Sequence, residues 1–322
     1  MRCRATGSCV LGLFPVQSPS ALAPAGTQAA ALHEVTLVLV TGAALIFAGT
    51  MALLALALWY QRRPAVSATS WVVGGGIVFP IVVLSAALLY STARTAGLEQ
   101  ALAQPPLVVS VTGRLWWWEV RLRDPASGSD IVLANELRIP TGRATQVALL
   151  SDDVIHSFWV PELGGKRDLV PGRVNHLVIT PERSGVFRGQ CAEYCGEQHA
   201  RMALYVVTLP PAEFDRWVAA QARPSTPPDA TLERGRRAFA EHGCAACHAV
   251  RGTFDGGGLG PDLTHVASRT TLGAGVLRNE PGAARRWLIG VQDLKPGARM
   301  PSYAHLDAAT LDALAAYLEH LR

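Results

Sequence analysis

The chain has 322 residues, of which 49% are hydrophobic and 17% are charged, and its formal net charge is +4. This length allows about two domains of ordinary size together with membrane segments. The mild charge, without a lysine or arginine run, argues against a nucleic-acid-binding protein, and the high apolar fraction argues against a wholly soluble one. Four of the 6 cysteines fall into two motif pairs, so no framework of disulfides is predicted.

Residues 1–32 are rich in alanine, serine, proline and glycine and are predicted to be a leader or signal segment. The apolar patch at residues 9–16 is short for a signal peptide, and no convincing cleavage site follows it. Cys9 follows Thr-Gly-Ser, which leaves a lipoprotein site as an alternative to a disordered leader.

Two stretches without a charged residue follow, at residues 35–60 and 71–90. About 20 apolar residues in a helix cross a hydrocarbon core, so residues 33–95 are predicted to form a transmembrane hairpin. Arg62 and Arg63 in the connection place it in the cytoplasm by the positive-inside tendency. Both termini and all later residues are then expected on the periplasmic side of a bacterial inner membrane. A hairpin buried inside a soluble protein is the disfavoured alternative.

Residues 96–222 open with a linker at 96–106 and continue as short β-rich runs between turn residues, which predicts a β-sandwich or barrel. Trp116, Trp117 and Trp118 lie in one run, and because successive side chains of a strand point to opposite faces, they cannot all enter a core. Tryptophan near a membrane surface is one explanation. The predicted strands are residues 107–112, 115–121, 131–134, 146–150, 174–180, 185–189 and 203–209.

Four soft ligands lie close together in the sequence, namely Cys191, Cys195, His199 and Met202. Sulfur ligands favour Cu(I), and imidazole suits copper in either oxidation state. His156, in a polar loop after a predicted strand, supplies a second imidazole. A disulfide and a zinc site are alternatives, but neither accounts for the methionine. The pattern therefore predicts a copper site for electron transfer.

Residues 151–202 resemble the copper-binding region of cytochrome c oxidase subunit II, including the run Lys-Arg-Asp-Leu-Val-Pro-Gly-Arg at 166–173. The resemblance implies a cupredoxin-like Greek-key domain with a binuclear CuA centre, in which two cysteine sulfurs bridge two copper ions. The implied copper ligands are His156, Cys191, Glu193 through its carbonyl, Cys195, His199 and Met202.

The same resemblance implies roles for individual residues. One copper ion is assigned His156 and the Glu193 carbonyl, and the other is assigned His199 and Met202. The Glu193 carboxylate is further expected to bind Mg²⁺ at the contact with subunit I. Trp116 occupies the place of the tryptophan through which electrons enter.

Asp153, beside His156, has two interpretations. The resemblance implies a docking surface for cytochrome c, and a domain fused to the same chain is an alternative occupant of that surface. One residue departs from the family pattern. Many members carry a glutamate, thought to open a proton pathway, about seven residues before a proline of the second span, and Val73 stands there relative to Pro80.

A second redox motif follows a proline-rich linker at residues 223–228. Cys244 and Cys247 are followed directly by His248 in the C-x-x-C-H pattern of c-type haem attachment. The two thiols bond the vinyl groups of haem, and the histidine reaches the iron from the same side. A zinc half-site and a thiol–disulfide motif are the alternatives for this pattern alone.

Residues 229–322 resemble a class I cytochrome c on this motif, on the runs at 260–263 and 299–303, and on a final helix at 306–321. The resemblance implies an all-α domain in which Met300 is the sixth ligand of the haem iron. Ligation by histidine and methionine raises the reduction potential of a haem. The alternative candidates for that position are His242, His265, His305 and His320.

Together these features predict a multidomain membrane protein that resembles subunit II of a haem-copper oxidase with a fused cytochrome c, the caa type. The implied function is transfer of electrons from cytochrome c or another periplasmic donor through haem c and CuA to subunit I, where oxygen is reduced with proton translocation. No catalytic residue is expected in this chain, and its partners are subunit I, other membrane subunits and the lipid bilayer. A CuA subunit of a nitric-oxide reductase and a membrane-anchored copper-handling protein are the alternatives.

Overall fold

The structure is a computed structural model that describes residues 19–60, 67–98 and 107–322. Three sequence predictions therefore lie outside the described residues: most of the leader, the connection that holds Arg62 and Arg63, and most of the linker before the first strand. Below, "the β region" means residues 107–209 and "the helical region" means residues 229–322.

Two long apolar helices come first. Helix α1 is Thr27–Tyr60, and the second helix runs without a break from α2 (Ala68–Ser70) through a π-helical stretch (Trp71–Val78) into α3 (Phe79–Thr95). Both are long and apolar enough to cross a membrane, and the most apolar part of each is exposed along its whole length. An exposed apolar surface of this size is typical of contact with lipid or with other membrane subunits.

The first helix begins earlier than the sequence predicted. It starts at Thr27, inside residues 1–32, which were assigned to the leader. Ala25 is buried, and the Gln28 side chain accepts a hydrogen bond of 2.9 Å from the Thr180 amide. Contacts with the β region therefore hold the start of α1, and such long-range contacts leave no mark in the local sequence.

The β region consists of two five-stranded sheets with the orders β3-β2-β1-β5-β8 and β4-β10-β9-β6-β7. Neighbouring strands are antiparallel except for the pairs β1–β5 and β4–β10. In β5 and β9 every other side chain is buried, so the core lies between the sheets. The strands are β1 (Leu107–Arg114), β2 (Trp117–Arg123), β3 (Asp130–Ala134), β4 (Glu136–Pro140), β5 (Thr145–Ser151), β6 (His156–Trp159), β7 (Arg167–Leu169), β8 (Asn175–Ile179), β9 (Gly185–Cys191) and β10 (Ala203–Leu209).

Strands β4, β6 and β7 were missed by the sequence analysis. All residues of β4 are buried, including Glu136 and Arg138, which form an ion pair of 2.7 Å. Polar and apolar residues do alternate in β4, but both of its faces are buried, and the other two strands are too short to show an alternation. Strand β6 matters for the site, because its pairing with β9 sets Phe158 opposite Cys191 and so brings His156 near that cysteine.

Helix α4 (Pro211–Gln221) leaves the β region, and the helical region contains α5 (Glu233–Glu241), α6 (Ala283–Leu294), α7 (Ala308–His320) and a small hairpin of β11 (Thr271–Leu272) and β12 (Leu277–Arg278). Helices α5 and α7 pack closely at Gly235, where a Cβ atom would lie 2.1 Å from the Ala313 carbonyl oxygen. Helix α6 was not predicted, since Gly290 interrupts it with non-helical backbone angles. The predicted fold class, an apolar helical hairpin followed by an all-β and then a helical domain, is confirmed.

Candidate metal centre and haem pocket

The residues predicted to bind copper converge at one end of the β region. His156 begins β6, Cys191 ends β9, and the others lie in the loop before β10. The Cys191 Sγ atom is 3.8 Å from Cys195 Sγ and 3.9 Å from His156 Nδ1. Cys195 Sγ is in turn 3.6 Å from His199 Nδ1 and 3.8 Å from Met202 Sδ. His156 and Met202 are completely buried and both cysteines are nearly so.

The two cysteines are held as a reduced pair. Their sulfur separation of 3.8 Å is far from the disulfide bond length of about 2 Å. The hydrogen bond from Cys195 lowers the pKa of Cys191, and the adjacent Cys191 thiolate raises the pKa of Cys195. Because metal ligands must be deprotonated, the second proton leaves readily only when a cation neutralises the pair. The arrangement therefore favours binding of a metal cation over formation of a free dithiolate.

The orientation of His156 is fixed by its surroundings. Its Nε2 atom lies 2.7 Å from an Asp153 carboxylate oxygen, and the other oxygen of that carboxylate accepts a 2.8 Å bond from the Leu115 amide. This leaves Nδ1 directed at Cys191. A carboxylate bonded to the other ring nitrogen commonly orients a metal-binding histidine in this way. Gly113 makes room for the ring, since a Cβ atom there would lie 2.6 Å from it. Asp153 thus positions a ligand from a largely buried place.

The donor set fits copper. The Glu193 carbonyl oxygen lies 3.1 Å from Cys191 Sγ, so it belongs to the same cluster. Structural zinc uses four ligands, whereas two thiols, two imidazoles, a thioether and a carbonyl are gathered here, and soft sulfur donors select copper. The Glu193 carboxylate is 3.8 Å from the Lys166 ammonium and is 44% exposed, so it is separate from the sulfur cluster.

A cavity of about 690 Å³, below called the haem cavity, lies between the helical region and the β region, and residues 114–117 of the β region line one side of it. This volume is within the range of about 300–1,000 Å³ that is usual for cofactor pockets. Cys244, Cys247, His248 and Met300 all line it. The His248 Nδ1 atom is 2.7 Å from the Pro261 carbonyl oxygen, and because that nitrogen donates there, Nε2 carries the free lone pair that a metal needs.

Details of the cavity fit a haem with histidine and methionine ligands. A Cβ atom at Gly260 would lie 2.6 Å from the His248 ring, and burial lowers the pKa of His248, which favours the neutral imidazole. The Met300 thioether accepts a hydrogen bond of 3.2 Å from the Trp287 indole. Among the histidines that the structure describes, only His248 lines the cavity. The alternative candidates, all outside its lining, are His242, His265, His305 and His320.

The three successive tryptophans occupy three different environments. The Trp116 indole N–H donates a 2.8 Å hydrogen bond to the Cys195 carbonyl, and the residue also lines the haem cavity. Trp117 lies against the Arg114 guanidinium, 5.5 Å from its ring centre. Trp118 is fully buried in the β core. Of the three, Trp116 alone is bonded to residues 191–202, the segment that carries most of the predicted copper ligands and is below called the copper loop.

Sequence reasoning missed Lys295, a buried residue of the helical region whose ammonium donates to the carbonyls of Trp116 and Arg201. One signal was present, because Lys166 and Lys295 are the only lysines in the sequence. Yet no local pattern connects a lysine with a copper loop 94 residues away.

Comparisons with known proteins agree with both sites. Residues 120–209 match the family model described as cytochrome c oxidase subunit II, periplasmic domain, and residues 232–322 match the model described as cytochrome c. Cytochrome c oxidase subunit 2 of Alkalihalophilus pseudofirmus is 38% identical over 66% of this chain and 61% of its own length. Cytochrome c oxidase subunit 2 of Branchiostoma floridae is 32% identical over 57% of this chain and 86% of its own length.

Among solved structures, the periplasmic domain of subunit II of cytochrome oxidase of Bradyrhizobium japonicum is 29% identical over 38% of this chain and 96% of that chain, with a TM-score of 0.35. The similarity to the bacterial relative is partial in length, since the chain spans 61% of the Alkalihalophilus protein.

Proposed function

Because this chain belongs to the cytochrome c oxidase subunit II family and carries a C-terminal cytochrome c domain, we propose that it conducts electrons from its own haem c through a binuclear copper centre to subunit I of a respiratory oxidase. Oxygen is reduced to water, with proton translocation, in subunit I. The chain described here then acts as a conductor and holds no catalytic residue of its own.

The observation that carries this proposal is the place of Trp116. Its indole N–H is bonded to the carbonyl of Cys195, a predicted copper ligand, and the same residue borders the haem cavity. Electrons that leave the haem therefore have a hydrogen-bonded route into the copper loop through one aromatic side chain. Trp116 is assigned the role of electron entry to the copper centre.

For the copper centre, the proposed bridging ligands are the Cys191 and Cys195 sulfurs. His156 and the Glu193 carbonyl complete one copper site, and the second is completed by the ligands His199 and Met202. Two shared thiolates would let one unpaired electron spread over both copper ions, so that little rearrangement would accompany a change of redox state. Asp153 holds the His156 ring, and burial of the cluster keeps water away from the sulfurs.

For the haem, Cys244 and Cys247 are the proposed thioether attachments, and His248 and Met300 the axial ligands. A haem with this ligand pair accepts and releases electrons at a comparatively high potential, which suits a carrier late in a respiratory chain. The Pro261 carbonyl orients His248, and the Trp287 indole holds the Met300 sulfur.

The proposed assembly is a complex in the bacterial inner membrane, with subunit I and other membrane subunits packed against the exposed apolar helices. Both termini and both redox regions lie on the periplasmic side, where cytochrome c or another donor reduces the haem. The exposed Glu193 carboxylate, now near Lys166, is the proposed Mg²⁺ ligand at the contact with subunit I.

A pair of tryptophan variants in the purified complex tests the proposed route. Trp116→Phe removes one hydrogen bond to the copper loop, and we expect electron transfer from haem c to copper to slow by roughly fivefold. Trp117→Phe, which alters a neighbouring cavity residue without a bond to that loop, should leave the rate unchanged. Rapid photochemical reduction of the haem, followed by the copper absorbance, measures both.

Equal rates in the wild type and Trp116→Phe would remove this tryptophan from the route. Oxygen consumption by the same preparation supports the proposed acceptor, whereas consumption of nitric oxide alone would point to a reductase of that gas. Net transfer of copper to another protein, without electron flow, would point to copper handling.

A further inference from the structure

Lys295 lies where the helical region meets the copper end of the β region. Lys295 follows α6 directly, and only 4% of its surface is exposed. The ammonium group donates three hydrogen bonds, of 2.7 Å to the Trp116 carbonyl, 2.8 Å to the Arg201 carbonyl and 2.9 Å to the Gly273 carbonyl. Burial lowers the pKa of Lys295 to about 7. The neutral amine has only two N–H donors, so the three bonds to backbone oxygens require the ammonium form.

This arrangement is unusual for a buried charge. Buried lysines are rare and are normally paired with a carboxylate, yet in the described part of the chain no salt bridge involves Lys295. The three acceptors are neutral and converge from three directions. A tetrahedral ammonium satisfies such a set, whereas the planar fork of an arginine cannot.

Each acceptor belongs to a different part of the proposed electron route. Trp116 is bonded to the copper loop through its indole. Arg201 directly precedes Met202, a proposed copper ligand, and Gly273 lines the wall of the haem cavity. One ammonium group thus joins the haem wall, the bridging tryptophan and the loop of copper ligands.

We propose that Lys295 is a positioning residue for electron transfer between the two cofactors: its ammonium fixes the backbone of Trp116 and of the Arg201–Met202 turn against the haem cavity wall. This inference rests on the proposed function, since it concerns the distance and alignment along the same route. A residue of the helical region then helps to position the segment that carries the proposed copper ligands.

A general role in holding the two regions together is carried by other bonds. On another part of the interface, the Thr270 hydroxyl and amide donate to the Glu136 carboxylate at 2.6 and 2.9 Å. The Ala203 amide donates to the Ala274 carbonyl at 3.0 Å. Because these contacts remain when Lys295 is replaced, the effect of its loss should be confined to the Trp116 and Arg201 segments.

The test uses the full-length chain in its purified complex, with Lys295→Met, Lys295→Arg and the control Thr270→Val. Three readouts are needed: haem and copper content, the electron paramagnetic resonance spectrum of the copper, and the rate of haem-to-copper transfer after photochemical reduction of the haem. The rate of transfer scales with the fraction of molecules in which Trp116 and the Arg201–Met202 turn hold the aligned arrangement. We expect Lys295→Met to lower that fraction, and so the rate, by about tenfold at full cofactor content and to alter the copper spectrum.

Lys295→Arg keeps the charge but not the three-way geometry, so it should also be slow, and it carries the test if the methionine variant fails to assemble. Thr270→Val should keep the wild-type rate and copper spectrum. A wild-type rate in either lysine variant, or an equal loss in Thr270→Val, would overturn the positioning role. Absence of haem-to-copper transfer in the wild type would instead overturn the proposed function, so the two failures are distinguishable.

Discussion

The copper centre and the haem pocket are built in opposite ways. The predicted copper ligands already contact one another, with the two cysteine sulfurs 3.8 Å apart and His156 and Met202 fully buried. The predicted haem ligands His248 and Met300 instead border a cavity of about 690 Å³. Two copper ions would bind among side chains that are already packed together and would replace only a few protons. A haem would instead fill a cavity and supply the apolar contacts of a core.

The difference follows from the elements that carry each site. The copper ligands lie at the ends of β6 and β9 and in the loop before β10, beside a packed sandwich core that includes Trp118, Phe158 and Leu149. In the helical region, cavity-lining residues such as Phe239 and Leu314 also belong to the core cluster. The β region should therefore fold without its metal, and the helical region should depend on its cofactor.

The largest expected effect comes from preventing haem attachment with the double variant Cys244→Ser and Cys247→Ser. Without haem, the cavity of about 690 Å³ is open to water, and the apolar side chains that line it lose the favourable burial that a bound haem would give them. We expect the helical region to be cut by protease in the assembled complex. The copper spectrum should remain, because its ligands all belong to the β region or its loops.

The matched control for this experiment is Cys191→Ser, which removes a proposed bridging sulfur. It should abolish the copper spectrum while both regions resist protease and the haem spectrum is unchanged. A helical region that stays resistant without haem would contradict the comparison drawn above, as would a β region that unfolds without copper.

A site could be predicted from the sequence where its residues lie close together along the chain. Contacts between distant segments could not be predicted in this way. Cys191 ends β9, and Cys195, His199 and Met202 follow in the next loop, so their chemistry is visible in a short pattern. The same holds for Cys244 to His248. His156 was added because the cluster needed a second imidazole and because the family resemblance supported it.

The features that sequence reasoning missed are set by contacts between distant segments. Gly113 leaves space for a ring that is far away in sequence, and Lys295 bonds to a carbonyl 179 residues away. Asp153 was interpreted as part of a surface for cytochrome c or for the fused domain, which stays a prediction, and its bond to the His156 imidazole was not foreseen. Strand β4 was missed although its polar and apolar residues alternate, and both of its faces, including Glu136 and Arg138, are buried. The Gly113 and Lys295 contacts have no local period or spacing.

An intermediate effect is expected from two glycines that serve the same purpose at the two sites. A Cβ atom would lie 2.6 Å from the His156 ring at Gly113 and 2.6 Å from the His248 ring at Gly260, whereas Gly258 has open space around it. Gly113→Ala should lower copper affinity by about 10–100-fold, as other changes beside metal ligands do. Gly260→Ala should shift the haem spectrum and potential without loss of the covalently bound haem, and Gly258→Ala should change neither.

Metal titration and redox titration of the haem measure these variants side by side. Each glycine contacts the histidine of one site only. If Gly113→Ala weakened haem binding, or Gly260→Ala weakened copper binding, the two sites would be coupled in a way that these contacts do not explain.

The smallest expected effects come from the two thioether ligands, because leucine fills nearly the same volume as methionine and leaves the packing intact. Met202→Leu should change the near-infrared and paramagnetic resonance spectra of copper and leave the haem spectrum unaltered. Met300→Leu should lower the haem potential, since the thioether ligand raises it, and leave copper unaltered. Met51→Leu, in an exposed part of α1, is the control and should affect neither centre. An unchanged copper spectrum in Met202→Leu would remove that residue from the ligand set, and an unchanged haem potential in Met300→Leu would return the sixth position to a histidine.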